Sequence, residues 1–187
     1  MREEFIKIGH HLFLSGLITS HGGNMSIRIG DRIFITRRGS MLGCLREEDI
    51  VETGLEQDDE GTALASRELE VHRAIYRVTS AQAVLHAHPP YSIVLSMTRK
   101  EIVPVDAEGA YLLGKVPVVT VKESIGSPEV AEKLPGFLKE YKIALVHAHG
   151  SFAIGESLEE AYHWTSCMEA SSKIIYLLQK MGYTSSK

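Results

Sequence analysis

The sequence predicts an α/β fold: a single domain built on a mixed, mainly antiparallel β-sheet covered by helices. Three observations predict it. Strand-like and helical stretches alternate along the chain. Two pairs of strand-like runs are joined as hairpins, which argues against a purely parallel sheet. The 187 residues, 44% hydrophobic and 24% charged, suit one domain over 1–187 with a sizeable core, and no linker, repeat or low-complexity segment divides them.

The elements follow in order. Phe5, Ile8, Leu12 and Leu17 recur at helical spacing, so the chain begins with an amphipathic helix ending near Gly16. "HGGNMSIRIGDRIFITRRG" reads as a glycine-rich turn and then two short strands flanking Gly30-Asp31, a hairpin. "LREEDI" is a short helical turn and "EQDDEG" a solvated acidic loop. "SRELEVHRAIYRVT" is a helix with Ser66 as its N-cap. Strand "AVLHAH" runs into "PPYSIVLSMT", whose leading prolines suit a short helix. "KVPVVTV" is a strand. "SPEVAEKLPGFLKEY" starts as a helix that Pro135 is expected to interrupt or kink. "IALVHAH" and "GSFAIG" form the second hairpin, and Ser157 to Met181 is a long amphipathic helix opened by the capping-box pattern "SLEE".

Composition narrows the function. A net charge of -4 with scattered basic residues gives no footprint for nucleic acid. No apolar run is long enough to span a bilayer, so no membrane partner is expected. The first residues mix acids with apolar groups, unlike a secretory signal. Cys44 and Cys167 lie far apart with no metal-type spacing, which fits free thiols and a cytoplasmic location.

The chemistry concentrates in histidine pairs. "VLHAHPP" and "ALVHAHG" place four of nine histidines, His86, His88, His147 and His149, in apolar strand-like runs. On a strand, His86 and His88 project from one face about two residue rises apart, close enough for both rings to reach one metal ion. A third histidine from another strand would complete an open site, and neutral imidazole suits several divalent transition ions. Glu68, in the first turn of its helix, is either a capping-region carboxylate or an acid/base group or ligand beside the metal. "GGNMSIR" and "ITRRGS" are each either tight turns or anion-binding loops, with Asn24, Ser26 and Arg38 as polar contributors.

Taken in this order, "GGNMSIR", "ITRRG", "SRELEVH", "HAHPP" and "HAHGSFAIG" resemble the class II aldolase/adducin family, in particular its fuculose-phosphate aldolase branch. The resemblance implies the class II aldolase/adducin-like fold over nearly the whole chain. It implies that His86, His88 and His149 hold Zn2+ or a related ion such as Co2+, Mn2+ or Fe2+, leaving His147 outside the ligand set. Glu68 then becomes the catalytic acid/base; the related ribulose-phosphate epimerases carry Asp there. Gly23, Asn24, Thr36, Gly39 and Ser66 match the phosphate pocket. Arg38 and Arg67 stand where relatives commonly have small hydroxyl residues, so they either bind phosphate or reshape the pocket. The second proton donor aligns with none of Glu108, Tyr111 or Tyr183 securely; all three are candidates. The implied reaction is reversible cleavage of a ketose 1-phosphate to dihydroxyacetone phosphate and a small aldehyde such as lactaldehyde. Ribulose-5-phosphate 4-epimerase, methylthioribulose-1-phosphate dehydratase and a non-catalytic adducin-like module are the alternatives. A phosphorylated sugar is the implied partner, and a homotetramer with the site near a subunit boundary the implied assembly.

Overall fold

Eight strands, β1 (Asn24–Ile29), β2 (Arg32–Thr36), β3 (Ile50–Gly54), β4 (Ala83–Ala87), β5 (Glu101–Ile102), β6 (Val116–Val119), β7 (Ile143–Val146) and β8 (Gly150–Gly155), form one sheet in the order β3-β2-β1-β4-β8-β7-β6-β5. The computed structural model describes residues 1–182 of the chain. Every strand pairing among the described residues is antiparallel except β6 with β7. The expected mixed, mainly antiparallel sheet is therefore what the chain forms, with helices on both faces.

Alternation along the strands divides the core in two. Ala83, Leu85 and Ala87 of β4 pack with Phe5, Ile8 and Leu12 of α1 (Arg2–Leu14), Leu95 of α3 (Pro90–Ser96) and Trp164 and Met168 of α6 (Leu158–Lys180). On the opposite face Val84 joins Phe152, Ile75 and Tyr76 of α2 (Leu69–Val78), and Val130 and Leu134 of α5 (Pro128–Leu138). His86 shares the Val84 face, so it points toward α2 and α5.

Local chemistry sets the boundaries. Helix α1 ends where Gly16, at φ +67°, lets the Leu17 N–H reach back to the Leu12 carbonyl and the Gly16 N–H to Phe13, both at 3.0 Å. Leu17 is thus buried beyond the helix rather than on it. Ser157 caps α6 by accepting from the Glu160 N–H at 3.1 Å. The carboxylate of Glu160 reaches back to the Glu156 N–H at 2.7 Å, one residue before the cap that a capping box would use.

The structure corrects several expectations. Ser66 does not cap α2: Glu68 occupies the N-cap position, and the Ser66 hydroxyl instead accepts from the Glu68 N–H at 3.3 Å. Pro135 lies inside α5 without interrupting it, and forfeits one backbone N–H bond there. His147 and His149 do not lie along a strand. They sit in the turn between β7 and β8, where Ala148 adopts φ +55° and the His149 N–H donates to the Val146 carbonyl at 3.1 Å. Strands β3 and β5 and helix α4 (Ala107–Leu112) are additional to the elements the sequence predicts.

Candidate active site

The turns at one end of the central strands enclose a cavity of about 320 Å³. Glycines let them come close. Gly23 takes φ +78°, and a Cβ there would lie 2.7 Å from the His86 carbonyl oxygen. A Cβ on Gly150 would lie 2.3 Å from the Ala87 carbonyl oxygen, 2.8 Å from His88 Cδ2 and 3.0 Å from His86 Cε1. Both glycines are needed for the backbone to pass this near the histidines.

His86, at the end of β4, is 2% exposed and stacks on Phe152, its cross-strand partner, with ring centroids 4.2 Å apart. Its Nδ1–H donates to the Ser151 carbonyl at 2.9 Å. A carbonyl can only accept, so the neutral ring presents an unprotonated Nε2 to the cavity. His88 Nε2 lies 3.0 Å from it. His149 arrives from the β7–β8 turn, and one ring nitrogen from each of the three histidines lies within 4.8 Å of the others. Burial lowers the pKa of all three, His86 furthest and His149 to about 4, and the neighbouring rings push His86 and His149 further down. They are therefore neutral imidazoles at ordinary pH. His149 Nδ1 is buried without a hydrogen-bond partner. Three convergent neutral nitrogen donors, on rings one of which carries a buried unpartnered nitrogen, fit a divalent transition ion. His147 stays outside this cluster.

Glu68 enters from the start of α2 and is 4% exposed. Its Oε1 accepts from the Gly126 N–H at 2.9 Å, while Oε2 is buried with no partner. Gly126 sits at φ +57°, and a Cβ there would lie 2.9 Å from the Arg67 carbonyl oxygen. Burial raises the Glu68 pKa from 4.5 to about 7, against the lowering effect of the Gly126 bond. A carboxyl of that pKa, with one free oxygen, can both take and give a proton near neutrality.

Of the other residues singled out by sequence, Gly23, Asn24, Arg38, Gly39, Ser66 and Arg67 line the cavity with Glu68 and the three histidines. Asn24 Oδ1 is buried without a partner. Thr36 is 1% exposed and is not part of the lining; its hydroxyl accepts from the Met25 N–H at 3.2 Å. Glu108 and Tyr111 sit on α4, exposed and away from the cavity, Tyr111 at 88%. Tyr183 lies outside the described residues. His21, Arg37, Ser40 and Ile125 also line the cavity without having been singled out by sequence; for Arg37 the signal was present in the "TRRG" doublet.

Residues 3–176 match the class II aldolase and adducin N-terminal domain. The chain belongs to the class II aldolase/adducin family. It is 32% identical over 180 residues to the L-fuculose phosphate aldolase of Methanocaldococcus jannaschii, covering 94% of this chain and 96% of that protein. It is 30% identical over 184 residues to the 3-oxo-tetronate 4-phosphate decarboxylase of Pectobacterium atrosepticum, covering 95% and 84%. The crystal structure of L-fuculose-1-phosphate aldolase from Thermus thermophilus superposes with a TM-score of 0.91 at 35% identity, over 100% of this chain and 98% of that one. A site of three histidines able to hold a divalent ion is thus set in a family fold shared by aldolases and a decarboxylase of phosphorylated sugars.

Proposed function

We propose that the chain catalyses reversible aldol cleavage of a ketose 1-phosphate of the L-fuculose 1-phosphate type, giving dihydroxyacetone phosphate and a small aldehyde such as lactaldehyde. The observation that carries this reading is the pairing of three convergent neutral imidazoles with a buried carboxyl whose Oε2 has no partner, in one cavity. His86, His88 and His149 would hold Zn2+, or Co2+, Mn2+ or Fe2+. Such an ion would supply Lewis-acid polarisation of the ketone, so that no lysine Schiff base would be required.

The protein's own groups do the rest. In the cleavage direction the carbon–carbon bond breaks, and the hydroxyl beyond it passes its proton to the second acid/base group as it becomes the aldehyde. Glu68 delivers a proton to the freed carbon, and in synthesis it removes that proton. Gly126 holds Oε1 and so aims Oε2. Gly23, Asn24, Gly39 and Ser66 would anchor the phosphate, with Arg38 and Arg67 beside them to bind it or to shape the pocket around it, so that binding at the remote end positions the reacting carbon. Thr36 supports that wall from behind through Met25. Exposed Val94, Met97, Val105 and Tyr111 support the homotetramer that the resemblance implies, and in it Glu108 or Tyr111 of a neighbouring copy would supply the second proton donor.

The test is release of dihydroxyacetone phosphate from L-fuculose 1-phosphate by metal-loaded protein, with and without chelator. Ribulose 5-phosphate, methylthioribulose 1-phosphate and 3-oxo-tetronate 4-phosphate serve as competitors. Faster turnover of any of them would displace the aldolase reading.

A further inference from the structure

Among the described residues, seven cationic side chains outside the cavity are paired with acids. Arg32 binds Glu52 and Asp59, Arg73 binds Asp58 and Glu70, and Arg77, Arg46, Lys7, Lys115 and Lys133 each have a carboxylate partner. Other cationic side chains outside the cavity, such as Arg28 and Lys142, have no carboxylate partner among the described residues. What distinguishes the cavity is how many unpaired arginines it gathers. Arg37, Arg38 and Arg67 all line it, and none has a carboxylate partner among the described residues. Glu68 is the one acid in the lining among the described residues.

The three guanidinium groups come from two segments that the backbone ties together. The Arg38 N–H donates to the Leu64 carbonyl at 3.0 Å, the Ser66 N–H to the Thr36 carbonyl at 3.1 Å, and Arg37 bridges Ala65. Bringing like charges together without an acid between them costs electrostatic energy, and a concave wall concentrates their field. A single phosphate monoester brings a charge of only about -1.5 to -2. Beside three arginines and a divalent ion, it leaves the cavity strongly positive.

We propose that the physiological substrate carries a second anionic group besides its phosphate, a carboxylate or a second phosphate, and that Arg38 and Arg67 are the residues that select it. The inference rests on the reading that the cavity takes a phosphorylated sugar. It concerns which sugar phosphate is bound, and not which bond is broken: the aldehyde released from the physiological substrate would carry the second anion in place of uncharged lactaldehyde, and L-fuculose 1-phosphate serves as the singly charged assay substrate. The planar, five-donor fork of arginine suits either anion and gains little from a hydroxyl in the same place.

Calorimetry tests this independently of turnover. The probes are a matched set of four-carbon ligands: erythritol 4-phosphate, erythronate 4-phosphate, in which a carboxylate replaces the terminal hydroxymethyl group, and erythritol 1,4-bisphosphate. The wild-type protein should bind at least one of the two doubly anionic ligands about ten- to a hundredfold more tightly than erythritol 4-phosphate. Whichever binds more tightly identifies the second group. In Arg38→Ser/Arg67→Ser the preference should fall to within about threefold. Both side chains are exposed and unpaired, so the variant should fold, and Arg67→Ser alone, with a smaller fall in the same ratio, is the control. Equal wild-type affinity for all three ligands overturns the proposal. So does a parallel loss for all of them in the double variant, which would confine the arginines to the phosphate. Failure to release dihydroxyacetone phosphate would overturn the aldolase reading and leave these affinities interpretable.

Discussion

Replacing Glu68 by Gln separates what the carboxyl costs the fold from what it does in the cavity. The side chain is 4% exposed, and burial holds its pKa near 7 instead of 4.5. At about 1.4 kcal/mol for each pH unit, that difference corresponds to about 3 kcal/mol. Its sign follows from proton counting. Between 4.5 and 7 the folded chain keeps a proton on Glu68 that the unfolded chain has released, so stability falls as pH rises through this window. Below it the cost is absent; above it the cost is complete. Gln is neutral throughout and can still accept from the Gly126 N–H. Glu68→Gln, measured by urea unfolding of metal-free protein, should match wild type near pH 4 and exceed its stability by about 3 kcal/mol at pH 8. Its turnover should fall by about 10²- to 10⁴-fold. A stability difference that does not change between pH 4 and 8 would refute the burial argument, and wild-type turnover would refute the proton-transfer role.

Other outcomes follow from particular contacts. His88→Ala should abolish binding of one equivalent of divalent metal, read by elemental analysis of untagged protein, while the circular dichroism stays that of wild type. Gly150→Ala places a methyl carbon 2.3 Å from the Ala87 carbonyl oxygen and against both histidine rings; it should cost about 1–3 kcal/mol by urea unfolding and weaken metal binding. Ser157→Ala removes the acceptor for the Glu160 N–H and should destabilise the protein by about 1 kcal/mol without changing metal content.

Much of this was legible in the sequence, and the exceptions have physical reasons. The strands of both hairpins and helices α1, α2, α3, α5 and α6 announce themselves by periodicity and caps. Strand β3, "IVETG", is an edge strand in which only Glu52 is exposed between buried neighbours on both sides, so it shows no alternation, and β5 and α4 span only two and six residues, too short for a period. His86 and His88 follow from the period of two. The second pair misleads, because Ala148 takes a left-handed conformation that composition does not announce, and the turn it makes separates His147 from the cluster. Glu68 is visible as a residue, but the group that holds its carboxyl, the Gly126 N–H, comes 58 positions later. Thr36 reads as a pocket hydroxyl in sequence, yet its hydroxyl is turned to the Met25 N–H.

The central claim joins His86, His88, His149 and Glu68 in one metal-dependent cleavage. It is tested most directly by the rate of dihydroxyacetone phosphate release from L-fuculose 1-phosphate by wild type, chelator-treated protein re-supplied with Zn2+, His88→Ala and Glu68→Gln. The account predicts loss with chelator, recovery with metal, no recovery in His88→Ala, and a metal-replete but inactive Glu68→Gln. Undiminished release by the chelated protein, or by Glu68→Gln, would contradict it.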